Sequence, residues 1–327
     1  ENLIINKHTQ NNSDKLIFLG GYIGASPIQN LINKLPKDNS IKCDLIYGCY
    51  KKANVNEVFH NTYKKITQHS PINIFYKKIY NHSKIYMWYK NNKPIDCLLG
   101  SANFSTSGLC HDNSETLIDV KEQDFESIHK LLVNALQDSI ISTSEIYIDK
   151  YKEKQKDTKT RSLTSNLDTV LSKSPPKANI YLGEKPGYTH DKSGLNWGFG
   201  KGHVAKDAAY IPIRKQLIDE LPELFPYNGI SPNVGSGQGK RNKQAADAIF
   251  DDGTTMQLSF EGIAKPHFFK NLTSYPKNNI LGKYIRKRLG LDTYEKVTYD
   301  ILKKYGRTNI TITKIDEGNY FLDFSVN

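Results

Sequence analysis

At 327 residues the chain exceeds one typical domain and suits two, each able to bury its own core. Hydrophobic residues make up 38%, and no apolar run approaches the roughly 20 residues that cross a bilayer, which excludes a membrane-spanning helix. The formal charge of +11, from 45 Lys+Arg against 34 Asp+Glu, favours a polyanionic partner.

The opening segment ENLIINKHTQNNSDK lacks the basic start, apolar core and small-residue cleavage site of a secretory leader, so a cytoplasmic location is expected. Cys43, Cys49, Cys97 and Cys110 contain no CxxC pair and no matching His spacing. They are expected to be reduced and mostly buried, with neither a disulfide framework nor a zinc site.

Between residues 15 and 120, short apolar runs alternate with polar turns: KLIFLGGYI, CDLIYGCY, INIFYKK, SKIYMWYK, IDCLLGS and ETLIDV. These predict strands. Ile28, Leu31, Ile32 and Leu35 fall at the period of an amphipathic helix, as do Phe125, Ile128, Leu132 and Leu136 in a helix expected to pack on the sheet after its last strand. The first 150 residues are therefore expected to form an α/β domain, a mixed sheet flanked by helices. Residues 151–178 are polar and basic, end near Pro175–Pro176, and suggest a linker. Residues 179–327 carry most of the glycines and many β-type segments, predicting a mainly β domain. One helix is expected within DTYEKVTYDILKKYG, with Asp292 as its cap and Gly306 as its stop.

The stretch HSKIYMWYKNNKPIDCLLGSANFS holds the chemistry. In extended chain, residues i and i+2 share a face, so His82 projects with Lys84 and Ser101 with Asn103. If the strands pair across Asn91–Asn92, all four converge at one end of the hairpin. An imidazole nucleophile, an ammonium, an amide and a hydroxyl suit attack at phosphorus and need no metal. An HxK pair alone carries little weight, since about one arises by chance in a chain of this composition. A second one, His190–Lys192, has no GSxN downstream and reads as solvated surface or a phosphate contact. The competing reading of the first is an ordinary hairpin with exposed polar residues.

HSK, GSANFS and the following Glu115 together resemble the phospholipase D superfamily, in particular its nuclease branch. The resemblance implies that His82 forms a covalent phosphohistidine, Lys84 and Asn103 bind the phosphate, Ser101 supports them and Glu115 orients the histidine. The family's usual Asp, placed five residues after the Lys, is Tyr89 here, and Asp96 lies too far along to replace it. Glu115 is then expected to carry the orienting role alone. The superfamily uses two such motifs per site and this chain has one, which implies a homodimer with a single shared site.

The second domain has the residue mix of a nucleic-acid reader. Asn196, Trp197, Lys201, His203, Lys206 and Arg214 lie among glycines and polar residues, where loops entering a groove would contact phosphates and bases. Gln238, Lys240 and Arg241 follow on a turn, then Lys265, His267 and Lys270, then the cluster Arg286, Lys287, Arg288. Trp197 also suits a core, and the basic cluster also suits the solvated face of a helix. GSGQGKRN is not a phosphate-binding loop, because Val234 and Arg241 occupy positions that require Gly and Ser/Thr.

SGLNWG, AAYIPI, LGKYIRKRLGL, YGRTNITI and YFLDF resemble the C-terminal domain of NgoFVII-type restriction endonucleases. That resemblance implies a B3-like pseudobarrel reading double-stranded DNA with two arms, placed near residues 196–214 and 256–270. The expected function is a metal-independent, site-specific double-stranded DNA endonuclease of restriction type. Such enzymes work with an ATP-dependent helicase-like partner and a cognate methyltransferase. No cofactor is expected in this chain, so ATP would act only through the helicase partner. The alternatives are a superfamily phosphodiesterase acting on another substrate, such as phospholipid, and a catalytically silent sequence-specific DNA-binding protein. No glutamate has Lys two residues later, against the common metal-dependent nuclease pattern.

Overall fold

The computed structural model describes residues 2–34, 41–51, 53, 55–109, 115–144, 176–183, 185, 187–200, 204–226, 243–262 and 269–326. The chain forms two compact units, the first mainly of residues before Pro176 together with Ile315–Glu317, the second mainly of Pro176–Lys314 and Gly318–Asn327.

The first unit is built on a seven-stranded sheet of β1 (Lys15–Gly20), β2 (Lys42–Tyr47), β3 (Ile72–Lys77), β4 (Ile85–Lys90), β5 (Lys93–Gly100), β6 (Leu117–Asp119) and β7 (Ser139–Ile141), in spatial order β6-β5-β4-β1-β2-β3-β7. The centre, β1-β2-β3, is parallel, and antiparallel strands extend it on both sides. Helices α2 (Ala25–Lys34) and α3 (Glu57–His69) make the crossovers that parallel pairing demands. The continuous apolar runs of β1 and β2 follow from burial on both faces. One face packs on α5 (Phe125–Gln137) through Phe125, Leu132 and Ala135 against Ile17, Leu19, Ile85 and Met87. The other buries Phe18, Tyr86 and Phe104, with Ile28 and Leu31 of α2 and Phe59 and Tyr63 of α3. α1 (Asn2–Asn11) precedes the sheet, and the short α4 (Thr106–Leu109) follows β5. The sheet does not end before α5: β7 follows the helix and pairs antiparallel with β3, a strand too short to give a clear alternation.

The β4–β5 hairpin turns at Asn91 and Asn92, with φ of 50° and 62°. This is the left-handed pair that a two-residue hairpin needs and that Asn tolerates. Its register runs from Lys90↔Lys93 to Ile85↔Leu99 with one irregularity at Trp88/Tyr89.

The second unit is also a seven-stranded sheet, of β8 (Lys177–Tyr181), β9 (Tyr210–Pro212), β10 (Lys243–Phe250), β11 (Thr255–Glu261), β12 (Asn271–Ser274), β13 (Asn309–Asp316) and β14 (Asn319–Asp323). The order is β8-β13-β14-β10-β11-β12-β9, and the two outer strands approach each other, so the sheet is a nearly closed barrel. Its core holds Ala248, Phe250, Leu258, Phe260, Ile310, Ile312, Tyr320 and Leu322, with Leu281 and Ile285 of helix α7 (Ile280–Arg288) packed against them. Helices α6 (Lys215–Glu220) and α8 (Tyr299–Tyr305) complete the unit.

Two expectations are corrected here. The last helix starts at Thr298, whose side chain caps the Ile301 N–H, and not at Asp292; Gly306 stops it, with φ of 102°. Tyr294 has φ of 72°, which breaks any helix running on from Asp292. In addition, the first part of the second expected arm is barrel strand β11, paired on both sides.

Candidate active site

The site lies where β1 and β2 end and β4 begins, the carboxyl edge of the parallel strands. His82 and Lys84 immediately precede β4; Ser101 and Asn103 follow β5. The Gly100 N–H donates to the Lys84 carbonyl at 3.2 Å, which locks the two strand ends together. Hairpin pairing thus brings the four side chains to one end.

Lys84 Nζ sits 3.0 Å from Nδ1 and 3.1 Å from Nε2 of His82, and donates to the His82 carbonyl at 2.8 Å. An ammonium carries donors only, so the ring nitrogen that accepts from it presents a lone pair. Lys84 is 8% exposed although His82 itself is exposed. Burial pushes the Lys84 ammonium below the ordinary lysine range, and the neighbouring Cys49 and Glu115 oppose that shift.

Asn103 Oδ1 accepts from the Tyr22 backbone N–H at 3.1 Å. That bond fixes which way the amide faces and leaves the two donors of Nδ2 for another partner. Ser101 Oγ donates to Glu115 in a short contact and accepts from the Thr116 N–H at 3.0 Å. Glu115 is thereby tied to the end of β5 through Ser101.

Several residues at the site carried no weight in the sequence. A Cβ on Gly21 would stand 2.5 Å from Cδ2 of His82 and 3.2 Å from Sγ of Cys49, so only glycine lets the imidazole lie against the end of β1. Gly48 does the same for the backbone, since a Cβ there would meet the Asn81 carbonyl at 2.1 Å. Cys49 Sγ donates to that carbonyl at 3.3 Å. The imidazole has the Tyr22 ring edge-on at 5.7 Å and the Tyr80 ring parallel at 6.4 Å. The signal available was glycine directly after an apolar strand, in LGGY and YGCY, which marks close backbone approach.

Tyr89 is remote from the site. Five residues along a strand is about 16 Å, and the side chain is buried at 2%, with its hydroxyl 3.1 Å from His129 Nδ1 on α5. Asp96 binds Lys7 and Asn11 of α1.

In the second unit the expected contacts separate into distinct environments. Asn196 is a correction. It is 2% exposed, donates to the carbonyls of His190 and Val297 at 3.0 and 2.8 Å, and accepts from the Val297 N–H at 2.8 Å. Its amide is fully committed to joining two loops. Trp197 is half-buried, edge-on to Tyr210 at 5.5 Å. Lys206 lies over the Tyr294 ring at 5.1 Å and Arg214 over the Tyr181 ring at 5.0 Å. Lys270 is exposed at the start of β12, where its carbonyl accepts from the Ile213 N–H at 2.7 Å. Lys201, His203, Gln238, Lys240, Arg241, Lys265 and His267 lie outside the described residues.

The basic cluster on α7 is mostly internal. Arg286 is 1% exposed, donates to the carbonyls of Glu295, Gly282 and Leu195, and pairs with Asp207 at 3.5 Å. Arg288 grips Asp251 at 2.8 Å and also reaches Tyr305 and the Phe324 carbonyl. Only Lys287 of the three faces solvent. His190 Nδ1 accepts from the Lys192 N–H at 3.0 Å, a local turn contact.

Cys43, Cys49 and Cys97 are buried, and Cys43 and Cys97 are free. Among the described residues no three His, Cys, Asp or Glu side chains form a metal-binding group, and no helix is long and apolar enough to cross a membrane. No curated protein matches the chain. Residues 1–148 match the model of the NgoFVII restriction endonuclease N-terminal phospholipase D domain, and residues 170–316 match that of the NgoFVII C-terminal B3-like DNA-binding domain. The two matches take in most of the sequence in the family's own order, so the chain belongs to the NgoFVII restriction endonuclease family and is a hydrolytic nuclease with a DNA-binding domain.

Proposed function

We propose that the chain is a site-specific endonuclease for double-stranded DNA that works without a metal ion, through a covalent phosphohistidine at a site shared by two subunits. The observation that carries this reading is the Lys84 ammonium, held 3.0 Å from the His82 imidazole. One side chain thus supplies both the positive charge that a bound phosphodiester requires and a contact to the group that would attack it.

In the proposed reaction a lone pair of the His82 imidazole attacks phosphorus while Lys84 Nζ and Asn103 Nδ2 hold the non-bridging oxygens. The phosphorus–oxygen bond to the leaving deoxyribose breaks, and His82 of the partner subunit gives that oxygen its proton. A water, deprotonated by the same partner residue, then attacks the phosphohistidine; the phosphorus–nitrogen bond breaks and the imidazole is restored. Ser101 and Glu115 brace the end of β5 so that Asn103 keeps its place. DNA selection falls to the second unit, with Lys206, Arg214 and Lys270 as its described phosphate contacts. An ATP-dependent helicase-like subunit and a cognate methyltransferase complete the proposed restriction system.

Plasmid cleavage in excess EDTA tests the mechanism: activity should persist, and loss of activity on chelation, with no helicase or ATP in the assay, would rule it out. His82→Ala should end cleavage and retain DNA binding. Adding an excess of that variant to wild type should suppress the residual activity through mixed dimers; unaffected wild-type activity would argue for a complete site within each subunit.

A further inference from the structure

The loop between β3 and β4 carries two side chains that the core does not use. Ile79 is 67% exposed and Tyr80 46%, and His82 lies two residues beyond Tyr80. The Tyr80 ring runs parallel to the imidazole, with an interplanar angle of 1° and centroids 6.4 Å apart. The ring is bare over much of its surface. With only two side-chain torsions to fix, an aromatic ring loses little freedom when it receives a ligand. Beside a phosphate pocket on DNA, the apolar surface within reach is that of the adjoining nucleoside, whose base face opens to a side chain where the strand unstacks.

We propose that Tyr80 is a substrate-positioning residue whose exposed face packs on the nucleoside flanking the phosphate held by His82, Lys84 and Asn103. Phosphate contacts alone leave the strand free to swivel about the held group. A second contact one nucleoside away removes that rotation and sets the line of attack. Tyr22 is less suited to this, because its ring is half-buried and turned edge-on to the imidazole. The proposal rests on the reading of His82 as the attacking group.

The test uses the full chain and a duplex oligonucleotide centred on a cleavage position mapped beforehand by run-off sequencing of digested plasmid. Tyr80→Ala should raise KM roughly tenfold or more, whereas Tyr80→Phe, which keeps the ring, should stay within about twofold of wild type. An abasic substitution at the contacted nucleotide, tried on each side of the scissile phosphate in turn, should cost wild type a similar factor and cost Tyr80→Ala nothing further. Independent, additive losses on both sides would overturn the contact. So would a Tyr80→Ala variant that sediments as a smaller species than wild type, since the ring would then belong to a subunit interface. His82→Ala, run in parallel, separates the two readings. If it still cleaves, or if wild type cuts no DNA, the site reading fails and the Tyr80 proposal falls with it; if it is inactive while Tyr80→Ala matches wild type, only the Tyr80 proposal is lost.

Discussion

Gly21 and His82 are in contact at the end of β1, with room for a hydrogen but not for a methyl group: a Cβ at position 21 would stand 2.5 Å from the imidazole. Gly21→Ala should therefore swing the imidazole away from Lys84. Misplacement on that scale costs about a hundredfold in rate, and cleavage should fall by that order while DNA affinity stays unchanged in an anisotropy titration. A variant that cuts at the wild-type rate would show that the imidazole relaxes without consequence.

Asn103 offers a sharper separation. Asn103→Asp keeps an acceptor for the Tyr22 N–H but puts a carboxylate where Nδ2 would meet phosphate. Cleavage should drop by about 10²- to 10³-fold with thermal stability preserved. Asn103→Ala should lose a similar rate factor and, by leaving the Tyr22 N–H unpaired, about 1 kcal/mol of stability as well. Calorimetry beside single-turnover rates distinguishes the two.

Lys84 carries a pH prediction. Burial depresses its folded-state pKa below the ordinary 10.5, so between the two values the unfolded chain binds more protons than the folded one. Stability therefore rises with pH across that window, and below it the cost of burying the charge is present in full. Lys84→Met should raise the melting temperature of the first unit by a few degrees, a gain of about 1 kcal/mol, while abolishing cleavage. In wild type the alkaline limb of the rate profile should fall below pH 10.5. A Met variant less stable than wild type at neutral pH would mean that the three contacts of the ammonium outweigh its desolvation.

In the second unit, salt dependence separates contact from scaffold. Arg214→Ala and Lys270→Ala should each lower the slope of log affinity against log salt by about one. Arg286→Met should leave that slope unchanged at temperatures where the unit is folded. It should also destabilise the unit by about 3–5 kcal/mol, because Asp207 and three carbonyls lose their buried partner. A reduced slope for Arg286→Met would place that guanidinium on DNA.

The hairpin was legible because its cues are local: alternation, an Asn–Asn turn and polar residues two apart at each end. The amphipathic helices Ala25–Lys34 and Phe125–Gln137 were legible for the same reason. Long-range features were not. Gly21 matters only because β4 pairs beside β1 and delivers His82 to it. Arg286 reads as one member of a surface cluster until the loops carrying Leu195, Asp207 and Glu295 close over it. Asn196 looked like a reader because short polar side chains among glycines suit both a groove and a buried loop junction, and burial decides between them. Asp292 could cap a helix chemically, but the left-handed backbone at Tyr294 moved the start to Thr298.

The pairing of β14 with β10 has a bearing on how the protein is made. The strand is parallel to β10 and stands between β10 and β13, in the interior of the sheet. β10 cannot be paired on both sides until residues 319–323 have left the ribosome, and β8, the first strand of the unit, waits for β13. The first sheet has no strand beyond β7 and can pair long before that. During each round of synthesis the sheet that presents His82 can thus form while the second unit is still incomplete. A requirement for two chains per active site would keep that interval harmless to the cell's own chromosome.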